Sequence, residues 1–324
     1  MPWKGIRDPY KIWLSEIILQ QTRVIQGEKY YLAFTKKYPN IHNLALAKEE
    51  EVFRLWQGLG YYNRCRNLLL TAKIIAEKYH GQFPNTYHEI RELKGIGDYT
   101  AAAIASFAYN LPHAVVDGNV VRVLSRIFGI KKTFHDAKGK KYFQELAFKL
   151  MPSTKSAQYN QAIMDFGAII CKPASPHCTE CPFSKICIAK AQNKVTEYPV
   201  KKEKKALKIR HFHFYVLQDE TNLYLIKRNE KDIWKDLHTP YMIETTGKEK
   251  PNSPIFLNSM KVEKSFSLRQ QLTHQQLYGH FRIVHIESKK QHLPIEFIKV
   301  KKTALTDFAF PRMIISFFKK FDYL

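Results

Sequence analysis

Three sets of residues in this 324-residue chain have types and spacings that could do chemistry. Glu16 lies inside Ile12-Trp13-Leu14-Ser15-Glu16-Ile17-Ile18, on the helical face shared by Ile12 and Gln20. A carboxyl among apolar neighbours keeps its proton to higher pH, because the charged form loses hydration, and can then serve as a general acid. The competing reading is a solvent-facing glutamate on an ordinary helix. Asp117 opens Asp117-Gly118-Asn119 ahead of the apolar-periodic residues Val120, Val121, Val123, Leu124 and Ile127. It is a natural helix N-cap as well as a candidate carboxylate. Finally, Cys171-x6-Cys178-x2-Cys181-x5-Cys187 sets four thiols in a short loop. Four thiolates bind zinc or a [4Fe-4S] cluster. Zinc favours two close C-x2-C pairs and only one is present, so the spacing favours iron and sulfur.

The stretch that positions the two carboxyl groups is Leu93-Lys94-Gly95-Ile96-Gly97-Asp98-Tyr99-Thr100-Ala101. Gly95 and Gly97 permit a tight turn between two helices and leave the amides of the second pointing outward. Such a turn binds a backbone phosphate, usually bridged by a monovalent cation, without needing a side chain. The helix it launches leads on to Asp117.

Lys and Arg number 52 against 29 acidic residues, a formal charge of +23. A polyanion is the expected partner. No stretch approaches the roughly 20 apolar residues of a transmembrane helix, and Met1-Pro2-Trp3-Lys4-Gly5 has no apolar signal core. The expectation is therefore no membrane, a cytoplasmic, nucleoid-associated location and a monomer. Cys65, apart from the loop, reads as a small, partly buried side chain.

Asp8-Pro9-Tyr10 starts a helix that runs to about Thr22. Further helices are expected near 24–37, 48–57, 61–79, 86–93, 118–129, 139–150 and 156–171. Between two of them, Gly58-Leu59-Gly60-Tyr61-Tyr62 is followed by Arg64 and Arg66. Paired tyrosines beside arginines suit either a surface that stacks on bases or a buried bundle core. Residues 191–208 read as a basic linker. The apolar period then changes to two: His211–Leu217 and Asn222–Arg228 read as a hairpin, 281–287 as another strand, and a last helix is expected at 311–322. Two domains follow, 1–190 and 209–324, all-α and then small α+β.

Taken together, the glycine hairpin and Asp117-Gly118-Asn119 resemble the helix-hairpin-helix DNA glycosylase superfamily. With Asp8-Pro9-Tyr10, Ser15-Glu16, Leu19-Gln20-Gln21-Thr22, Gly58–Tyr62 and the cysteine loop, residues 2–190 are similar to MutY-type adenine DNA glycosylases. The order of the second half resembles their Nudix-like domain, without an E-x-x-E-E magnesium cluster. The resemblance implies a monofunctional base-excision repair enzyme that hydrolyses adenine from A:8-oxoguanine or A:G mispairs in double-stranded DNA. It implies Glu16 as the acid at adenine N7 and an ionised Asp117 facing the oxocarbenium-like sugar, as in glycoside hydrolysis. Tyr99 and Asn119 assist. Gln21 and Tyr61 wedge into the base stack, Gln161 contacts the flipped adenine's edge, and Gly95 and Gly97 grip phosphate. The four cysteines hold [4Fe-4S].

Tyr99 stands where endonuclease III resembles this chain but carries a Schiff-base lysine, which argues for base removal without strong lyase activity. The family reads 8-oxoguanine with Phe-Ser-His; the counterpart here is Leu272-Thr273-His274, which keeps a hydroxyl and loses the ring. Family members also carry a helix and an R-x-L-P-W-R segment where this chain begins at Met1-Pro2-Trp3-Lys4. The readings to separate from adenine excision are an endonuclease III-like or thymine-mismatch glycosylase and a non-catalytic iron–sulfur DNA-binding protein.

Overall fold

The computed structural model describes residues 1–201, 206–247, 249, 251–252, 256, 262–286, 293–294 and 296–324. Residues 202–205 of the expected linker and Glu287 of the expected strand lie outside the described residues. The chain forms two compact units, Met1–Ala47 with Arg66–Glu203, and Lys48–Cys65 with Lys204–Leu324.

The first unit is helical. It contains α1 (Pro9–Leu19), α2 (Val24–Lys37), α3 (Ile41–Ala45), most of α5 (Tyr62–Lys78), α6 (Tyr87–Glu92), α7 (Asp98–Tyr109), α8 (Gly118–Phe128), α9 (Ala137–Leu150), α10 (Ser156–Ile169) and α11 (Ile188–Ala191). Short side chains start these helices. Asp8 accepts from the Tyr10 amide at 2.9 Å with Pro9 in the first turn, Thr86 caps α6, and Asp136 accepts from the Gly139 amide at 2.7 Å. Each cap satisfies amides that the helix itself leaves unpaired. Two apolar clusters hold the bundle. One gathers Val116, Val120, Val121 and Leu124 with Phe143 and Ala147; the other packs Ala102, Ala103 and Val115 under Tyr99 and Met164. The small alanines let α7 approach its neighbours closely.

In the second unit, α4 (Glu49–Trp56) and the loop after it join a mixed sheet. Its strands are β1 (Lys208–Gln218), β2 (Asn222–Lys227), β3 (His238–Thr239), β4 (Tyr241–Thr245), β5 (Val262–Gln271), β6 (Gln275–His285) and β7 (Ile298–Lys301), followed by α12 (Arg312–Lys320). β1 and β2 pair antiparallel as expected, but the long partner of β1 is β6, in parallel register from Lys208↔Gln275 to Gln218↔His285. One face presents Phe214 and Phe281, stacked at 4.6 Å, to Phe317 of α12, which stacks on Phe281 at 4.2 Å. The other face carries His211, His213, Tyr278 and His280; the ring centroids of His213 and His280 are 4.7 Å apart.

The expected boundaries at 190 and 208 place residues 48–65 in the first domain, whereas they pack with the sheet unit. Tyr62 stacks on Phe53 at 5.9 Å and donates to the Phe310 carbonyl at 3.2 Å, and Arg54 pairs with Asp307 at 3.0 Å.

Candidate active site

The carboxyl acid, the phenol and the second carboxylate predicted from sequence lie within electrostatic reach of one another in the first unit. Glu16 sits in α1 between the buried Ser15 and Ile17 and is itself only partly exposed. Burial pushes its pKa up to about 7; the Asp117 charge adds to the rise, and a hydrogen bond from the Tyr99 hydroxyl opposes it. The same burial, reinforced by Glu16 and Asp117, holds Tyr99 well above the usual phenol range. Tyr99 is therefore a donor throughout the working pH range, and Glu16 is poised to give and take a proton near neutrality.

Asp117 is the N-cap of α8. It accepts from the Asn119 and Val120 amides at 2.8 Å each, and its other oxygen accepts from Asn119 Nδ2 at 2.7 Å. Three donors are thus directed at the one carboxylate. Asn119 is fixed in turn by Arg122, whose Nη2 donates to Asn119 Oδ1 at 2.8 Å and to the Gly167 carbonyl at 2.7 Å. Arg122 Nε reaches the Cys171 carbonyl at 2.8 Å. A Cβ on Gly167 would meet Asn119 Cβ at 2.7 Å, so only glycine lets α10 lie this close to the cap.

The hairpin forms as expected. Gly95 has φ +78°, a conformation costly for any residue with a Cβ, and Ile96 N donates to Leu93 O at 3.1 Å. A Cβ at Gly95 would also meet Asn67 Cβ at 2.6 Å. Thr71 Oγ1 donates to Lys94 O at 2.7 Å, anchoring the turn to α5. Gly97 caps α7, and Lys94, Gly95, Gly97 and Asp98 are all exposed. The turn thus offers the first amides of α7 to solvent.

Gln21 follows α1 with φ +55°, exposed. Gln161 lies in α10, partly buried, and its Nε2 donates to Asp165 Oδ1 at 3.0 Å. In the second unit Tyr61 also has positive φ, +50°, and is 44% exposed, with the Arg64 guanidinium 5.4 Å from its ring centroid. The two readings of the tyrosine pair therefore divide: Tyr61 is on the surface and Tyr62 is in the core. Thr273 and His274 occupy the tight turn joining β5 to β6, closed by Leu272 N donating to Gln275 O at 2.8 Å. The Tyr61 and Thr273 hydroxyls are hydrogen-bonded to each other.

Cys171, Cys178, Cys181 and Cys187 line one pocket with Arg126, Ile127, Phe166 and Ile170. Burial pushes the Cys181 thiol up, with further contributions from Cys171, Cys187 and Cys178, while a backbone hydrogen bond from Phe183 acts the other way. Arg126, 2% exposed, donates to the carbonyls of Lys172 at 2.7 Å and Pro173 at 3.0 Å, and its Nη1 is 3.4 Å from Cys171 Sγ.

Sequence reasoning did not find Arg122, Arg126, Asn160 or Asp165. Asn160 is 1% exposed and joins α10 to Ser106 Oγ, His113 O and Val115 N. Buried polar residues inside apolar helices, Arg122 and Arg126 at i and i+4 on α8, were the available signal.

A helical bundle with an outward glycine hairpin and a glutamate within electrostatic reach of a helix-capping aspartate defines a class, the helix-hairpin-helix base-excision proteins. In agreement, the family described as HhH-GPD superfamily base excision DNA repair protein matches residues 14–152. Adenine DNA glycosylase of Buchnera aphidicola subsp. Acyrthosiphon pisum is 37% identical over 301 residues, covering 92% of this chain and 84% of that protein. The human adenine DNA glycosylase is 40% identical over 185 residues, 57% of this chain and 34% of that one. Among solved structures, a thermostable thymine-DNA glycosylase is 33% identical with a TM-score of 0.55, covering 59% of this chain and 88% of that chain. An endonuclease III–DNA complex, 24% identical with a TM-score of 0.52 over 58% of this chain and 86% of that one, shares the fold. The chain belongs to the adenine DNA glycosylase family. Among the described residues, no helix is long and apolar enough to cross a membrane.

Proposed function

We propose that this protein excises adenine mispaired with 8-oxoguanine or guanine in duplex DNA, by hydrolysis of the N-glycosidic bond and without cutting the strand. The observation that carries the reading is the Glu16 carboxyl, held to a pKa of about 7 by burial, beside Tyr99 and Asp117. Adenine leaves C1′ poorly as an anion. Protonation of N7 by Glu16 lets the bonding pair depart with a neutral base, while positive charge builds on the sugar. Asp117 faces that charge as an anion, held by the Asn119 and Val120 amides and Asn119 Nδ2. Water then adds at C1′, giving its extra proton to the Glu16 carboxylate, and leaves an abasic site. Tyr99 offers a phenol, not an amine, so no Schiff base forms there.

Extrusion of the base costs a few kcal/mol of stacking, which substitute contacts must offset. The exposed, left-handed Gln21 and Tyr61 support a role in replacing the lost stack, and Gln161 supports contact with the extruded adenine's edge. Thr273 and His274, at their turn, are assigned to the 8-oxoguanine. Gly95 and Gly97 are assigned to a DNA phosphate with a monovalent cation between them.

The cysteine pocket fits a [4Fe-4S] cluster. Among the described residues no three His, Cys, Asp or Glu side chains converge on a single metal ion. A four-iron cluster takes one thiolate on each iron and so requires four thiols around a shared cavity. Cys171, Cys178, Cys181 and Cys187 would hold it, with Arg126 placing its cation beside the anionic site. The sheet unit is assigned to a Nudix-like lesion-reading role, with the protein acting as a monomer.

The test is to incubate the protein with an A:8-oxoguanine duplex, with and without alkali, and to attempt borohydride trapping in parallel. Free adenine, strand breaks only after alkali and no trapped complex support the proposal. Breaks without alkali, or a trapped covalent complex, would overturn its monofunctional part.

A further inference from the structure

Gln161 is an ambidextrous reader. An amide whose oxygen faces the purine 6-position and whose N–H faces N1 matches adenine, which offers an N6–H donor and an N1 acceptor. Turned end for end, the same amide matches a 6-oxopurine such as hypoxanthine, whose O6 accepts and whose N1–H donates. Nothing in glutamine itself selects between them.

We infer that Asp165 is a positioning residue that sets which end of the Gln161 amide reads the extruded base. This rests on the assignment of Gln161 to the base edge. One helical turn beyond Gln161 on α10, Asp165 Oδ1 accepts from Gln161 Nε2 at 3.0 Å. Lys4 Nζ donates to both Asp165 oxygens at 2.8 Å. A carboxylate met by an ammonium offers acceptors only, so the neighbouring amide must present its NH2 to it; the reversed amide would set two oxygens against each other. One N–H is thereby committed to Asp165, and Oε1 with the second N–H remains for the base. That order is the one that fits a 6-aminopurine. Lys4 and Asp165 are about one-third exposed, at 35% and 31%, so the pair is a local clamp and not part of the core. Lys4 thus links the first turn of the chain to base selection.

The experiment measures single-turnover release of adenine and of hypoxanthine, each opposite the same 8-oxoguanine, by the wild type, Asp165→Asn, Lys4→Met, Lys4→Arg and Gln161→Ala. Asparagine has the shape of aspartate but can donate to Gln161 Oε1, which makes the reversed amide acceptable. The adenine-over-hypoxanthine ratio should fall about tenfold or more in Asp165→Asn, fall less in Lys4→Met, and be retained in Lys4→Arg. Gln161→Ala should collapse it. A purely structural role for Asp165 would lower both rates together and keep the ratio; that result overturns the inference while Gln161→Ala still changes the ratio. An unchanged ratio in Gln161→Ala overturns the assignment of Gln161 and the inference with it. No adenine release by the wild type would instead strike at the function on which both rest.

Discussion

The Tyr99 hydroxyl donates to the Glu16 carboxylate, joining the first turn of α7 to the middle of α1. This bond lowers the pKa of Glu16 against a larger rise from burial, and the balance lands near 7. An acid working in neutral solution needs that balance. A stronger bond would leave Glu16 ionised, and none would leave it a weaker acid, slower to give up its proton.

Single-turnover base release should decline about tenfold per pH unit above about 7, as Glu16 loses its proton. Glu16→Gln cannot donate to N7 and should lose about 10²–10⁴-fold in rate while retaining DNA affinity. A pH–rate profile with parallel binding isotherms checks both; an equal loss of rate and affinity contradicts the role.

The same shift has a stability consequence. Native Glu16 holds its proton up to about 7, against 4.5 for a free glutamate side chain. Its favourable contribution is full below the lower value and is lost as pH rises through the upper one, because in that window the native state binds more protons than the unfolded state. Glu16→Gln should therefore stabilise the protein at pH 8 by about 1–3 kcal/mol and change little at pH 4. Thermal melts at the two pH values check this.

Asp117→Asn keeps a good helix cap and should cost only a few tenths of a kcal/mol in stability, about what one N-cap exchange between these two residues costs. It removes the negative charge proposed to stabilise the sugar cation, and release should slow by about 10²–10³-fold. Melting and single-turnover rates measured on one preparation separate the effects. A large drop in melting temperature would mean that the carboxylate matters chiefly to the fold.

Thr273→Val deletes the hydroxyl bonded to Tyr61. Both residues are surface-exposed, so stability should change by about 0.5 kcal/mol or less. The preference for adenine opposite 8-oxoguanine over adenine opposite guanine should shrink. Competition between the two duplexes reads this directly; an unchanged preference removes Thr273 from lesion reading.

DNA affinity should fall log-linearly with salt, as expected for a chain of formal charge +23 that releases counterions from several phosphates. Titrations from low to moderate salt check it. A flat dependence would contradict phosphate-led binding.

Much of the first unit was legible because its signals are local. A G-x-G turn declares its own backbone, and Asp8 and Asp117 sit where caps must sit. Asn160, Arg122 and Arg126 were not legible. Most of their partners are distant in the chain, such as Gly167 O for Arg122, Tyr198 O for Arg126 and Val115 N for Asn160, and periodicity carries no information about such pairing. In the sheet unit, β5 (Val262–Gln271) alternates half-buried and charged or polar residues along its length and lacks the apolar run that revealed β1. Residues 48–65 read correctly as a helix and a glycine turn, but their partners, Asp307 and Phe310, are more than 240 residues on.

Base release decides the proposed function. Single-turnover reactions on otherwise identical duplexes carrying A opposite 8-oxoguanine, A opposite G, A opposite T, and thymine glycol opposite A measure it most directly. Free adenine is expected from the first two only, and is expected to be lost in Glu16→Gln. Release of the damaged thymine, adenine release opposite T at the same rate, or undiminished release by Glu16→Gln would contradict it.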